Sequence, residues 1–169
     1  MDEIKWPNRK HLRLPAYDYS QANTYFITIC TFNRTRLFGK IVYDVAGAHL
    51  RVPSDGRHQI VAKWLEELEK KYPYSVVDEY VIMPDHIHFL LTCSGAHAGA
   101  PLPEIIKWFK TQTTNEYIRG VKSGIYPSFE KHVWQRNYCE HVIRNEQDYY
   151  ETIQYMRNNP MAWWLKEQG

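Results

Sequence analysis

Two β-rich runs, Val76 to Met83 and His86 to Thr92, are separated only by Pro84-Asp85, and this arrangement leaves the middle of the chain little choice of fold. A Pro-Asp turn of that length between two strands closes an antiparallel hairpin. Strand side chains alternate with period two, so His86, His88 and Leu90 face one way while Ile87, Phe89 and Leu91 enter an apolar layer. Two imidazoles on one strand face can together hold a metal ion. A His-x-His pair alone more commonly marks ordinary core or surface histidines.

The remaining pattern builds around that hairpin. Thr24 to Phe32 contains the run Tyr-Phe-Ile-Thr-Ile-Cys-Thr and reads as a first strand. Between Leu37 and Val52, Gly39 and Gly47 punctuate a stretch with room for short extra strands. A first helix is expected from about Gly56 to Lys71, with Ile60, Val61, Trp64, Leu65 and Leu68 on one face and Pro73 ending it. A second, about Pro103 to Arg119, buries Leu102, Ile105, Ile106 and Phe109, and Trp134 to Ile143 supplies a last strand region. Strand-helix-strand repeated twice predicts an α+β, ferredoxin-like antiparallel sheet with both helices on one face. The histidines then occupy the other face.

A C-terminal helix begins at Asn145, with Asp148 three residues on, and Pro160 is expected to stop it. Tyr149, Thr152, Ile153 and Met156 form its packing face; Tyr155 and Asn159, four residues apart, share a neighbouring one, with Glu151 a turn earlier. This helix must cross the open sheet face for Tyr155 to approach the histidines, from its own chain or from a partner.

At 169 residues, 44% apolar and 15% aromatic, the chain supports one domain, 1–169, with a basic N-terminal segment, 1–23. A net charge of +2 means that any nucleic-acid contact must rest on local patches. Arg9, Lys10, His11 and Arg13 cluster before the first strand, Arg34, Arg36 and Lys40 follow it, and Lys107, Lys110, Arg119 and Lys122 dot the second half. Tyr17 and Tyr19 are suited to stacking on exposed bases, whereas core packing is the default for Trp108. Cys30, Cys93 and Cys139 form neither a disulfide framework nor a zinc ribbon and point to a reducing compartment. Without a signal-like or membrane-length apolar run, a cytoplasmic protein is expected. The segment Ser94 to Pro101, with His97, reads as a loop beside the histidine strand.

Four stretches, in order, carry a resemblance. They are Leu14 to Ser20 with Tyr25 to Thr31; Met83-Pro84-Asp85-His86-Ile87-His88; Trp134 to Tyr138 with Glu140 to Arg144; and Tyr155 to Pro160. On these the chain resembles the single-tyrosine HUH transposases, specifically the REP-associated tyrosine transposase branch of the IS200-like transposases. The resemblance implies that His86, His88 and Asn159 hold one divalent cation, Mg2+ or Mn2+, and that Tyr155 attacks single-stranded DNA near hairpins to form a 5'-phosphotyrosine. The chemistry is coherent, because a divalent cation at the phosphate stabilises the charge that develops during attack. Among thirteen tyrosines, Tyr138, Tyr149 and Tyr150 compete, but Tyr155 alone has an Asn four residues later and the Asn-Pro terminus. Glu151 and Asp148 are expected to be solvated rather than ligands.

Two alternatives stay open on sequence. One is a non-catalytic hairpin-binding module of the same fold. The other, a two-histidine phosphoesterase, needs a second histidine motif, and neither His132 nor His141 supplies a His-x-His or His-x-Thr pattern. Monomer and homodimer are equally compatible with the sequence.

Overall fold

The computed structural model describes residues 23–44, 49–51, 56–94 and 101–169. The expected contacts at Arg9, Lys10, Arg13, Tyr17 and Tyr19, and the loop histidine His97, lie outside the described residues. In chain order come β1 (Asn23–Cys30), a 3-10 turn (Phe32–Arg34), β2 (Val42–Asp44), β3 (His49–Arg51), α1 (Arg57–Lys71), β4 (Ser75–Ile82), β5 (His86–Cys93), α2 (Leu102–Lys122), β6 (Cys139–Val142) and α3 (Glu146–Gln168).

Hydrogen bonding places β1 inside a four-stranded antiparallel sheet ordered β4-β5-β1-β6, the ferredoxin-like arrangement. β1 and β5 pair along their whole length, from Asn23↔Cys93 to Cys30↔His86. The short β2–β3 hairpin, in the stretch with room for extra strands, stands apart from this sheet.

One sheet face presents Tyr25, Ile27 and Ile29 of β1 and Ile87, Phe89 and Leu91 of β5 to the apolar stripes of α1 and α2, all fully buried. Trp108 packs edge-on to Trp64 and Tyr72, the core role expected of it. Gly120 on α2 is required by sterics: a Cβ there would lie 2.0 Å from the ring of Tyr126. The opposite face carries Phe26 and Leu90, and α3 covers them with Met156, flanked by Tyr149, Ile153 and Tyr155. Arg157 of α3 reaches Glu79 of β4 at 3.4 Å.

Two expectations are corrected. The strand region Trp134 to Ile143 contains only four ladder residues, β6, preceded by an isolated bridge between Thr31 and Trp134. The carbonyls of Gln135, Arg136 and Asn137 instead accept from one ammonium, Lys110 Nζ, at 3.0, 3.2 and 3.1 Å. Burial pushes the pKa of that ammonium down to about 8, which leaves it charged at neutral pH to hold the segment.

Pro160 also does not stop the last helix, which runs through it to Gln168. An internal proline removes one helical hydrogen bond and crowds the carbonyl four residues back, a cost of ~3 kcal/mol. Tertiary contacts beyond the proline oppose that cost. The ring of Trp163 lies 6.0 Å from that of His86, the Arg36 guanidinium sits 5.5 Å over Trp163, and Arg36 pairs with Glu167 at 2.5 Å.

Candidate active site

The turn joining β4 to β5 is fixed from several sides. Met83 N donates to the carbonyl of His86 at 2.8 Å, Phe38 N to that of Pro84 at 3.0 Å, and both the amide and hydroxyl of Thr31 to that of Asp85 at 2.9 Å. The two histidines therefore leave the turn at set positions, 6% and 4% exposed.

Each imidazole is anchored on its outer nitrogen. His86 Nδ1 lies 2.5 Å from Asp85 Oδ1, and His88 Nδ1 lies 2.8 Å from Thr28 Oγ1, the residue opposite it in the β1–β5 ladder. The inner nitrogens, His86 Nε2 and His88 Nε2, face each other at 3.1 Å. Two imidazole nitrogens bound to one cation at ~2.1 Å stand ~3.0 Å apart at a right angle and ~3.4 Å apart at a tetrahedral one. The separation fits two adjacent ligands of a single ion. The outer partners fit as well, since ligating histidines characteristically give their other ring N–H to a carboxylate or similar acceptor.

The electrostatics keep this pair receptive. Burial, then the neighbouring His86, then Arg34 hold His88 well below the usual histidine pKa, so it is neutral at physiological pH and needs no proton removed before it ligates. In the chain Asp85–His86–His88–Thr28, one inner nitrogen must donate to the other. A threonine hydroxyl both donates and accepts, so Thr28 can accept from His88 Nδ1–H when a ligand claims the inner nitrogen.

Tyr155 arrives from the same chain's α3. Its ring centroid is 5.5 Å from that of His88 and 6.0 Å, edge-on, from Phe26, while Phe26 stacks on His88 at 5.2 Å. Asn159 is half-buried one turn later and makes no side-chain hydrogen bond among the described residues. Its amide oxygen is available as a donor to an ion; no cluster of three or more His, Cys, Asp or Glu with that geometry occurs among the described residues.

Other expected residues sort clearly. Arg34 stands 3.6 Å from Asp85 and donates to Cys30 Sγ at 3.1 Å, from a turn in which Asn33 and Arg34 both adopt positive φ, 52° and 55°. Arg36 is engaged by Glu167 and Trp163. Asp148 accepts from His141 Nε2 at 2.9 Å and from the Arg144 amide at 3.0 Å; burial alone would raise its carboxyl, but these partners outweigh it and hold the pKa below normal. Glu151 accepts from Gln147 at 2.7 Å, on the exposed side of α3. Glu151 is exposed, whereas Asp148 is partly buried and held by His141 and the Arg144 amide. His132 lies edge-on to Phe32, so neither it nor His141 builds a second histidine motif.

Asp85, Thr28 and Trp163 are the site residues that sequence reasoning passed over. An acid directly before His-x-His was visible in the sequence; the partnership of Thr28 required the strand register, and that of Trp163 required a helix continuing past a proline.

The sheet order and the three helices define an α+β, ferredoxin-like protein. Residues 22–159 match the family described as transposase IS200 like, and the chain belongs to that family. It is 32% identical over 168 residues to an uncharacterised protein of Haemophilus influenzae Rd, covering 92% of this chain and 90% of that protein. It is 23% identical to the REP-associated tyrosine transposase of Escherichia coli K12, covering 88% of this chain and 73% of that one. Its fold is similar to that of a REP-associated tyrosine transposase solved bound to a REP hairpin, with a TM-score of 0.59 at 19% identity over 89% of this chain and 73% of the other. No helix among the described residues is long and apolar enough to cross a membrane.

Proposed function

We propose that this chain is a metal-dependent strand transferase that nicks and rejoins single-stranded DNA beside hairpin sequences through a 5'-phosphotyrosine at Tyr155. The observation that carries this reading is the pair of inner imidazole nitrogens, 3.1 Å apart, with the Tyr155 ring against His88. The name of the hairpin-bound structural relative supports the choice of hairpin DNA.

His86, His88 and Asn159 would hold a divalent cation, Mg2+ or Mn2+, which when bound supplies positive charge to a phosphate oxygen. The chain's own residues do the rest. Tyr155 Oη attacks phosphorus, the Tyr–O–P bond forms, and the P–O3' bond breaks. The phenol proton leaves as attack proceeds, and the departing 3'-oxygen takes up a proton to become a free 3'-hydroxyl. A phenolate is a good leaving group, so a second 3'-hydroxyl can reverse the step and join a new end. One ester replaces another, and no nucleotide cofactor is needed. The Asp85–His86 and Thr28–His88 bonds orient the imidazoles throughout.

The test is incubation with hairpin single-stranded DNA, labelled at one end or the other, with Mg2+ or Mn2+, followed by denaturing electrophoresis. Label is expected on the protein only from the 3'-labelled strand. Tight binding with no adduct in either metal would instead leave a hairpin-binding module.

A further inference from the structure

A cleft of about 640 Å3 opens between α2 and residues 129–138, away from the imidazole pair. Lys107, Lys131, His132 and Arg136 line it beside Trp134 and Tyr138, and not one of its lining residues is acidic. In a chain of net charge +2, that is a pronounced local excess. Lys110, in the same wall, is occupied by three carbonyls, but Lys107, Lys131 and Arg136 are exposed and enter no ion pair among the described residues. Lys131 moreover sits at φ 53°, a left-handed conformation that a lysine adopts only when its surroundings impose it.

We propose that this cleft is a second nucleic-acid site, which grips the phosphates of an unpaired DNA segment through Lys107, Lys131 and Arg136. It rests on the DNA-processing reading above and adds where the strand runs. Cations without acids select a polyanion, and the exposed Lys107, Lys131 and Arg136 are free to meet its phosphates while Trp134 packs in the core beneath them. The path to the reacting centre is short. Gln135 N bonds the carbonyl of Cys30 at 2.9 Å, and Cys30 lies directly opposite His86 in the sheet. With strands ~4.8 Å apart, the cleft wall at Gln135 is only ~10 Å from the histidine strand. A strand that serves both must pass round the edge of the sheet at Gln135, from the α2 side to the face that carries the histidines.

The proposal is tested by measuring binding of an unstructured single-stranded oligonucleotide by fluorescence anisotropy across a salt series, in EDTA so that no cleavage intervenes. Lys107→Gln/Lys131→Gln/Arg136→Gln should weaken binding at least ~10-fold and reduce the slope of log affinity against log salt by ~2, at ~0.7 for each phosphate that is no longer neutralised. Each single variant should reduce it by ~0.7, which covers any folding defect in the triple variant. Lys70→Gln, on the exposed end of α1, is the control and should bind like the parent. Unchanged affinity and slope in the triple variant, or tighter binding of duplex through the same three residues, overturns the proposal. Failure of the parent to form a covalent adduct with hairpin DNA would overturn the strand-transfer reading and leave the binding result standing.

Discussion

The side chains of His86 and His88 meet nitrogen to nitrogen at 3.1 Å, each held from behind, one by Asp85 and the other by Thr28. Both rings are thus oriented before any ligand arrives, and the entropy of ordering them is already part of the fold. Their partners come from different levels of the structure. Asp85 belongs to the turn itself, whereas Thr28 is 60 residues away and is brought into place by the β1–β5 register.

Removing only the hydroxyl of Tyr155 should separate chemistry from binding. Tyr155→Phe keeps the ring against His88 and Phe26, so hairpin affinity should stay within about twofold and the melting temperature within ~2 °C. Adduct formation should fall below detection on a denaturing gel, and persistent adduct would move the nucleophile elsewhere, first to Tyr149 or Tyr150.

Asp85→Asn should reveal what the carboxylate does for His86. Loss of such an outer partner typically costs 10–100-fold in metal affinity. Calorimetric titration with Mn2+ is expected to show a weakening of about that size, with His86→Ala abolishing the binding heat. An unaltered Mn2+ isotherm in Asp85→Asn would mean that the carboxylate adds nothing to metal binding, and an unaltered one in His86→Ala that His86 is not a ligand.

His88 makes stability depend on pH in a definite direction. Its folded pKa lies below the unfolded value of about 6.5, so below that pH the unfolded chain takes up a proton that the native chain refuses. The contribution is complete above about pH 6.5 and is lost as pH falls, at up to ~1.4 kcal/mol per pH unit. Urea denaturation from pH 7.5 to 5 should show that decline in the parent and a shallower one in His88→Gln, which has no proton to refuse. Parallel curves would place the acid sensitivity elsewhere.

Much of this site is written locally. The alternation of His86, His88 and Leu90 against Ile87, Phe89 and Leu91 follows from strand geometry, and the structure divides them between the two faces accordingly. The pairing of Tyr155 and Asn159 follows from helical spacing alone. What local pattern does not contain is register and tertiary compensation. Nothing around Thr28 announces that it will stand opposite His88, and the grip of Lys110 on three carbonyls, which cuts the expected last strand to four residues, depends on a helix more than twenty residues away. Asn-Pro at 159–160 is a sound stop signal by itself and is overridden only because Trp163 and Glu167 find His86 and Arg36.

That override is the most direct place to measure the balance between a local rule and tertiary packing. Pro160→Ala restores a backbone donor to α3 and relieves the crowding of Met156, so it should stabilise the protein by ~1–3 kcal/mol. Trp163→Ala removes the half-buried ring between His86 and Arg36 and should destabilise by ~1–2 kcal/mol, less than a fully buried tryptophan because much of its surface is already wet. If the aromatic contact is what carries the helix past the proline, the two effects couple: the loss from Trp163→Ala should be smaller when residue 160 is alanine, since the last turns then hold by their own hydrogen bonds. Chemical denaturation of the four proteins in this cycle measures that coupling, expected at ~0.5 kcal/mol or more. Strict additivity would show that the helix beyond Pro160 persists without help from Trp163, and would assign its tethering to the Arg36–Glu167 pair.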